Sequence, residues 1–227
     1  MTWVKICGMT NLEDALVAVD AGADAVGFVF YEKSPRCVTV ETAREIVAKL
    51  PEKVEKVGVF AGESVARAAE IGSHLNLDGL QIYPLSYERD GSDGKSEGQS
   101  IEPKKVYLAF PIEKFVSEEH GIAVEINDPE RTLTSIVLDS GSGQQPGGTG
   151  IAFDWNNAAP VVSALSRTRR VVIAGGLTPQ NVSEAIGILQ PWGVDVASGV
   201  EASPGKKDPE KVRAFVRAVR EMDCGAS

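Results

Sequence analysis

The sequence has little of what several common classes of protein require. Its three cysteines among 227 residues are an odd number without the paired spacing of a zinc site, which disfavours both a disulfide framework and a cysteine-bound metal. No run approaches the roughly 18 apolar residues needed to cross a bilayer. The first residues also lack the basic and apolar regions of a secretory signal. We therefore expect a cytoplasmic protein with reduced thiols.

Positive charge and histidine are also scarce. The chain has 23 Lys and Arg against 32 Asp and Glu, a formal net charge of -9, and its basic residues form no block. Nucleic acid and anionic membranes are therefore not expected as partners. The two histidines, His74 and His120, lie on or beside polar stretches and follow none of the predicted strands. Their position argues against a histidine-based hydrolase and against a typical metal site.

What the chain does contain is a regular alternation of β-branched runs with longer amphipathic stretches. Strands are predicted at residues 3–7, 23–30, 54–60, 78–83, 106–110, 134–138, 170–174 and 193–197, and helices at 12–21, 40–50, 64–73, from 113, 154–165, 178–189 and 208–222. Eight strands with right-handed crossovers close most simply into a barrel, so we predict an α/β fold, a single (β/α)8 TIM-barrel domain over residues 1–227. The polar stretch 86–103 cannot bury a helix face and is predicted to be an exposed loop.

A doubly wound open sheet is the alternative fold. It would need a glycine-rich dinucleotide-binding turn directly after the first strand. Residues 5–10 read KICGMT and do not provide such a turn. The barrel is therefore the preferred prediction.

Two turns near the C-terminus point to a ligand. The seventh and eighth predicted strands end on small residues, Gly175-Gly176 and Ser198-Gly199, and a helix-starting stretch follows each. Neighbouring parallel strands bring such turns side by side at one edge of the sheet. Glycine lets backbone N–H groups come close to a ligand, and the N–H groups that open a helix attract anions. The two turns therefore predict a phosphate site at the end of the barrel where active sites lie.

Reactive side chains occur at the ends of other strands. Cys7 ends the first predicted strand, Asp139 directly follows the sixth, Asp195 lies within the eighth, and Arg36 is in the loop after the second. A lone cysteine in an apolar strand is most often a small core residue. A carboxylate at the end of a buried strand costs several kcal/mol unless it is paired or used, so Asp139 is the stronger candidate. Together the thiol and the carboxyl could act as a proton-transfer pair.

Taken together, these segments resemble phosphoribosylanthranilate isomerase, the barrel enzyme of tryptophan biosynthesis. The matching pieces occur in order over nearly the whole chain, and the ordered set is more specific than any one motif. They are residues 5–10 (KICGMT), 33–36 (KSPR), 138–139 (LD), 147–150 (GGTG), 153–155 (FDW), 174–182 (AGGLTPQNV), 194–201 (VDVASGVE) and 207–208 (KD).

The resemblance implies an Amadori rearrangement of N-(5-phosphoribosyl)anthranilate to 1-(2-carboxyphenylamino)-1-deoxyribulose 5-phosphate. By this likeness Asp139 is the general acid, Cys7 is the general base, and Arg36 and Asp195 hold the anthranilate carboxylate and amino group. The phosphate would rest on the backbone of the two turns, Gly175, Gly176, Ser198 and Gly199. The resemblance implies no metal and no organic cofactor, and a small phosphorylated substrate as partner. We expect a monomer or a homodimer.

Some positions depart from the family pattern. Residues 81–84 read QIYP where the family usually has Gln-Leu-His-Gly, and Pro111 stands where a basic residue is common. Two alternatives stay open. One is another reaction on the same scaffold, such as that of the histidine-pathway isomerase, which is expected to use two aspartates, or of a ribulose-phosphate epimerase, which is expected to show metal-binding histidines. The other is an inactive sugar-phosphate-binding or regulatory protein.

Overall fold

Eight parallel strands pair in chain order, and the eighth pairs with the first to close a barrel. The structure is a computed structural model that describes residues 1–83, 105–116, 133–141 and 152–225. The strands are β1 (Trp3–Cys7), β2 (Ala25–Val29), β3 (Glu55–Ala61), β4 (Gly79–Tyr83), β5 (Val106–Pro111), β6 (Leu133–Asp139), β7 (Arg170–Ala174) and β8 (Gly193–Val196). The predicted (β/α)8 barrel is therefore confirmed. The predicted exposed loop at 86–103 lies outside the described residues.

Helices follow the strands and cover the outside of the barrel. Within the described ranges they are α1 (Leu12–Ala21), α2 (Val40–Val47), α3 (Val65–His74), α4 (Glu113–Val116), α5 (Trp155–Ser166), α6 (Val182–Leu189) and α7 (Pro209–Gly225). Side-chain oxygens cap several of their N-termini, as Asn11 Oδ1 accepts from the Asp14 N–H at 2.9 Å and Asp154 Oδ1 accepts from the Asn157 N–H at 3.1 Å. Such caps satisfy backbone donors that have no partner within the helix. None of the helices in these ranges is long and apolar enough to span a bilayer.

The connections after β7 and β8 differ from the prediction. The helix predicted from residue 178 begins at Val182, because Asn181 holds the preceding loop: its Oδ1 accepts from the Thr178 N–H at 2.7 Å and its Nδ2 donates to the Gly176 carbonyl at 3.0 Å. The stretch after β8 does not start a helix. It forms a short 3-10 turn, Ser198–Val200, and a hairpin of β9 (Glu201–Ser203) and β10 (Lys206–Lys207) before α7 begins.

Successive side chains along each strand point alternately into the barrel interior and toward its outer face. On β1, Val4 and Ile6 are fully buried against the helices, whereas Trp3 and Cys7 belong to clusters inside the barrel. Trp3 stacks on Tyr107 and Trp192 with ring centroids 5.6 and 5.2 Å apart. These rings fill the N-terminal end of the barrel, so the open space inside it lies at the C-terminal ends of the strands.

Candidate active site

A cavity of about 520 Å³ opens at the C-terminal ends of the strands. Its volume is in the range of sites that enclose a small organic ligand. Side chains or backbone from most of the strands and from the hairpin line it. The lining residues are Cys7, Val29, Tyr31, Lys33, Ser34, Pro35, Arg36, Val59, Ala61, Gln81, Tyr83, Asp139, Ala174, Gly175, Gly176, Leu177, Asp195, Val196, Ala197, Ser198 and Pro204.

Asp139 is the last residue of β6 and is only 5% exposed. Tyr83 donates to its Oδ2 at 2.9 Å, and the backbone N–H of Gly141 donates to its Oδ1 at 2.9 Å. Burial raises the pKa of Asp139 above its usual value, against the opposing effect of these two hydrogen bonds. The carboxyl is therefore oriented by two donors and holds its proton more tightly than an exposed aspartate does.

Cys7 ends β1 and is also buried. A Cβ at position 27 would lie 2.8 Å from Cys7 Sγ and 2.9 Å from Lys5 Cε, so Gly27 leaves the space that both side chains occupy. Burial raises the pKa of the Cys7 thiol above its usual value, while the charges of Lys5 and Lys207 act in the opposite direction. The two lysines therefore favour the thiolate at a site where burial opposes it.

Asp195 and Lys5 form a buried ion pair beneath the cavity, with 2.6 Å between Asp195 Oδ2 and Lys5 Nζ. Burial acts to lower the pKa of Lys5, but the charges of Asp195 and Cys7 outweigh it and raise that pKa above its usual value. Lys5 also donates to Gln81 Oε1 at 2.9 Å. The other oxygen of Asp195, Oδ1, is buried and has no hydrogen-bond partner among the described residues. Asp195 also lines the cavity, so this unsatisfied acceptor lies beside the space that is open to a ligand.

Arg36 is held at the rim by a second buried charge cluster. Its Nε and Nη2 donate to the two carboxylate oxygens of Glu201, each at 2.8 Å. Lys207, which is 1% exposed, donates to Glu201 Oε1 at 3.1 Å and to the Ala197 carbonyl at 3.0 Å. Two of the five N–H donors of the guanidinium are thus used to fix its position, and Arg36 lines the cavity with three donors left.

Backbone from the ends of β7 and β8 forms another part of the cavity wall. Gly175 and Gly176 both have positive φ, +84° and +65°, a region that glycine enters without strain. Ser198 lines the cavity beside them, whereas Gly199 is not among the lining residues. A Cβ on Gly199 would lie 1.8 Å from the Leu177 carbonyl oxygen. Gly199 therefore lets the turn after β8 pack directly on the backbone that follows β7.

Comparison with known proteins identifies the family. The family model described as N-(5'-phosphoribosyl)anthranilate (PRA) isomerase matches residues 4–218. The chain belongs to this family. It is 44% identical over 216 residues to the N-(5'-phosphoribosyl)anthranilate isomerase of Pseudomonas fluorescens (strain Pf0-1). The aligned residues make up 95% of this chain and 97% of the relative. It is 40% identical over 220 residues to that of Geotalea uraniireducens (strain Rf4), with 97% and 99% covered.

Solved structures of PRA isomerases have the same fold. The enzyme from Thermotoga maritima superposes with a TM-score of 0.75 at 35% identity, covering 97% of this chain and 100% of that one. A phosphoribosylanthranilate isomerase solved in complex with reduced 1-(o-carboxyphenylamino)-1-deoxyribulose 5-phosphate gives a TM-score of 0.72 at 35% identity, with the same coverage. The predicted family and the prediction of an isomerase are therefore confirmed.

The residues predicted for this PRA isomerase site come together in one place. The side chains are Cys7, Arg36, Asp139 and Asp195, and the turn residues are Gly175, Gly176 and Ser198; all line the cavity, with Gly199 packed behind them. Their individual roles stay predictions. The monomeric or homodimeric state stays a prediction as well.

Four residues that organise the site have no role predicted from the sequence. Lys5, Gln81 and Tyr83 are polar residues at alternate positions of otherwise apolar strands, the same face as Cys7, and that pattern could have revealed them. Glu201 had no comparable signal. Its partner Arg36 is 165 residues away in the sequence.

Proposed function

We propose that the protein catalyses the Amadori rearrangement of N-(5-phosphoribosyl)anthranilate to 1-(2-carboxyphenylamino)-1-deoxyribulose 5-phosphate in tryptophan biosynthesis, with Asp139 and Cys7 as general acid and general base. One observation carries the assignment of these roles: a buried carboxyl with a raised pKa and a buried thiol line the same cavity from β6 and β1. An acid that must give up a proton near neutral pH benefits from such a raised pKa.

In the first step Asp139 donates its proton to the ring oxygen of the ribose. The C1–O bond breaks, the lone pair of the anthranilate nitrogen forms a C=N bond, and the ring opens to a protonated Schiff base. Asp139 becomes a carboxylate. Its hydrogen bonds from Tyr83 and Gly141 stabilise that developing charge.

In the second step Cys7, as a thiolate, removes the proton from C2. The electron pair of the C–H bond forms a C1=C2 bond, and the electrons of the C=N bond return to nitrogen, which gives the enolamine. Lys5 and Lys207 favour the thiolate that this step requires. The enolamine then tautomerises to the ketone as C1 gains a proton and the C2 hydroxyl loses one, and proton exchange with water resets Cys7 and Asp139. The substrate nitrogen serves as the electron sink, so no step calls for a metal or an organic cofactor.

The substrate is oriented by groups at both ends of the cavity. Arg36 binds the anthranilate carboxylate, for which a guanidinium fork is well shaped. Asp195 Oδ1 accepts from the anthranilate N–H, which supplies the partner it lacks among the described residues. The phosphate binds to backbone N–H groups of Gly175, Gly176, Ser198 and Gly199.

We also propose that the enzyme is a single domain and that it acts in the cytoplasm. Biosynthetic chemistry on a small phosphorylated metabolite supports that location, as do three cysteines that are all free thiols. Because the site is built within one barrel, the proposed chemistry is compatible with either a monomer or a homodimer.

Decay of anthranilate fluorescence, on adding the purified protein to freshly generated substrate, tests the proposal. We expect Cys7→Ala and Asp139→Asn each to lower kcat by about 10²–10⁴, the range of a single proton-transfer group, while the melting temperature changes little. Cys224→Ala and Asp20→Asn remove an exposed thiol and an exposed carboxylate away from the cavity and serve as controls. Near-wild-type turnover in either active-site variant would contradict the assignment, and absence of turnover in the wild type would favour an inactive binding protein.

A further inference from the structure

A line of polar side chains crosses the barrel interior between the two carboxylates of the site. Lys5 lies between Asp195 and Gln81, Gln81 contacts Tyr83, and Tyr83 contacts Asp139. Lys5, Gln81 and Tyr83 come from β1 and β4. The proposed mechanism uses the charge of Lys5 and the hydrogen bond from Tyr83, but it gives no role to Gln81 or to the continuous line that the three side chains form. The chemistry of these groups decides which of them donates in each hydrogen bond.

Lys5 sets the direction at one end. An ammonium group can only donate hydrogen bonds. Lys5 Nζ is 2.9 Å from the side-chain amide of Gln81, so the amide must turn its oxygen, Oε1, toward the lysine. The Gln81 Nε2 group then faces the other way, 3.3 Å from Tyr83 Oη, and donates to it.

The orientation of the Gln81 amide also affects the hydrogen bond between Tyr83 and the carboxyl group of Asp139. Because Tyr83 Oη accepts from Gln81, its own proton points to the remaining neighbour, Asp139 Oδ2, at 2.9 Å. Burial raises the pKa of Tyr83 well above its usual range, so the phenol keeps that proton. A carboxylate can only accept, so once Asp139 is ionised the donor of each hydrogen bond in the chain is determined by the one before it.

We propose that Tyr83 is a positioning residue for Asp139, held by the chain Lys5–Gln81–Tyr83 as an obligatory donor to the carboxylate that forms when Asp139 gives up its proton. The proposal rests on the assignment of Asp139 as the general acid. The chain holds one carboxyl oxygen while the Gly141 N–H holds the other, so the carboxyl plane is fixed relative to the ribose. The hydrogen bond from Tyr83 also strengthens as Asp139 becomes a carboxylate, which stabilises the transition state of ring opening more than the ground state.

Other charged groups surround the pair and act alongside the chain. Asp195 raises the pKa of both Asp139 and Tyr83, Cys7 raises that of Tyr83, and the Lys5 charge lowers that of Asp139. A substitution at Tyr83 leaves each of these groups in place. The change in the pKa of Asp139 that it causes can therefore be attributed to the lost hydrogen bond.

The test measures the pKa of Asp139 directly in Tyr83→Phe. The carboxyl signal of Asp139 is followed by ¹³C NMR over a pH series and is assigned by its loss in Asp139→Asn. A hydrogen bond to a charged group corresponds to a shift of about one pH unit or more, so the pKa should rise by that amount. We expect kcat to fall about tenfold or more, with little change in KM. An unchanged pKa of Asp139 in Tyr83→Phe overturns the proposal.

Tyr31→Phe is the matched control. Tyr31 also lines the cavity and packs on the same apolar cluster as Tyr83, but no hydrogen bond joins its hydroxyl to Asp139 among the described residues. Its loss should leave the pKa of Asp139 unchanged. An equal rise in both variants would mean that any hydroxyl lost from the cavity has this effect, which overturns the specific role of Tyr83.

Gln81→Met tests the direction of the chain without altering Tyr83. It should raise the pKa of Asp139 by less than Tyr83→Phe does, because the phenol is then free to turn. In the double variant it should add nothing to Tyr83→Phe, since Gln81 acts through Tyr83. Additive shifts overturn the chain. Failure of the proposed function would look different: Asp139→Asn would then keep its turnover whatever the NMR titrations gave.

Discussion

Replacing Glu201 by Gln tests the buried cluster that holds Arg36. The change keeps the size of the side chain, removes its negative charge and turns one acceptor oxygen into a donor. Wild-type Glu201 accepts from Arg36 at 2.8 Å through both oxygens, from Lys207 at 3.1 Å and from the Gly205 N–H at 3.2 Å. In Glu201→Gln an amide N–H₂ faces one of these donors, and two buried cations lose their counter-charge.

The expected loss of stability is large. Removing one partner of a buried, hydrogen-bonded ion pair costs about 3–5 kcal/mol, because the other charge is left uncompensated. The side chains of Glu201 and Arg36 are only 5% and 11% exposed, so solvent screens them little. For a domain of this size about 2–4 °C of melting temperature corresponds to 1 kcal/mol. The Tm should therefore fall by about 6–20 °C, and KM should rise because Arg36 loses its anchor.

The loss should depend on pH. Burial acts to raise the pKa of Glu201, but Arg36 and Lys207 outweigh it and hold that pKa below its usual value in the folded protein. A carboxyl with a lowered pKa contributes stability above its unfolded pKa and loses that contribution as the pH falls through the folded value. The difference in Tm between wild type and Glu201→Gln should thus be full near neutral pH and shrink below about pH 4.3, the usual pKa of Glu.

Circular dichroism melts over a pH series, with steady-state kinetics near neutral pH, measure these effects. Glu210→Gln is the control, because it makes the same chemical change in an exposed pair with Arg213, where the carboxylate is 86% exposed. Exposed pairs of this kind contribute little, so its Tm should barely move. A Glu201→Gln variant that matches the wild type in Tm and KM, or that has the same Tm deficit at acid and neutral pH, would contradict this role of the cluster.

Two further substitutions probe the substrate site. Arg36→Met should raise KM much more than it lowers kcat, and an unchanged KM would remove Arg36 from the carboxylate-binding role. Gly199→Ala should lower Tm and weaken inhibition by inorganic phosphate, because its Cβ would lie 1.8 Å from the Leu177 carbonyl oxygen and push the two turns apart. Gly187→Ala is the control: its Cβ would meet nothing closer than 4.0 Å, and alanine suits a helix interior. Equal Tm and phosphate inhibition in the two glycine variants would contradict the packing argument.

Most elements of the barrel follow from local patterns. Asn11 could be recognised as a helix cap from its position before an apolar run, and the structure has that cap. The hairpin β9–β10 could not be predicted in this way, because a two-residue strand such as Lys206–Lys207 is too short to show any period. The late start of α6 was missed although its cause is local. It results from hydrogen bonds that the Asn181 side chain makes within its own loop.

Several site residues could be predicted from the sequence because they lie at the ends of strands. Cys7 and Asp139 end apolar runs, and parallel strands bring their ends to one face of a barrel. The same alternation puts Lys5 and Gln81 on the interior face, although nothing in the pattern says which interior residues touch. That depends on strand register around the closed barrel, which pairs Lys5 with Asp195 on the neighbouring strand β8 and brings it to Gln81 across the interior.

The order of apolar and polar residues along the chain was enough, by itself, to determine the eight-stranded barrel and the end at which its reactive groups collect. Only the tertiary structure decided which charges neutralise each other. Arg36 pairs with Glu201 and Lys5 pairs with Asp195, across 165 and 190 residues of sequence. The physical reason is that secondary structure depends on neighbours a few residues apart, whereas a buried ion pair needs two opposite charges that only closure of the fold brings into contact, so that their attraction offsets the loss of water.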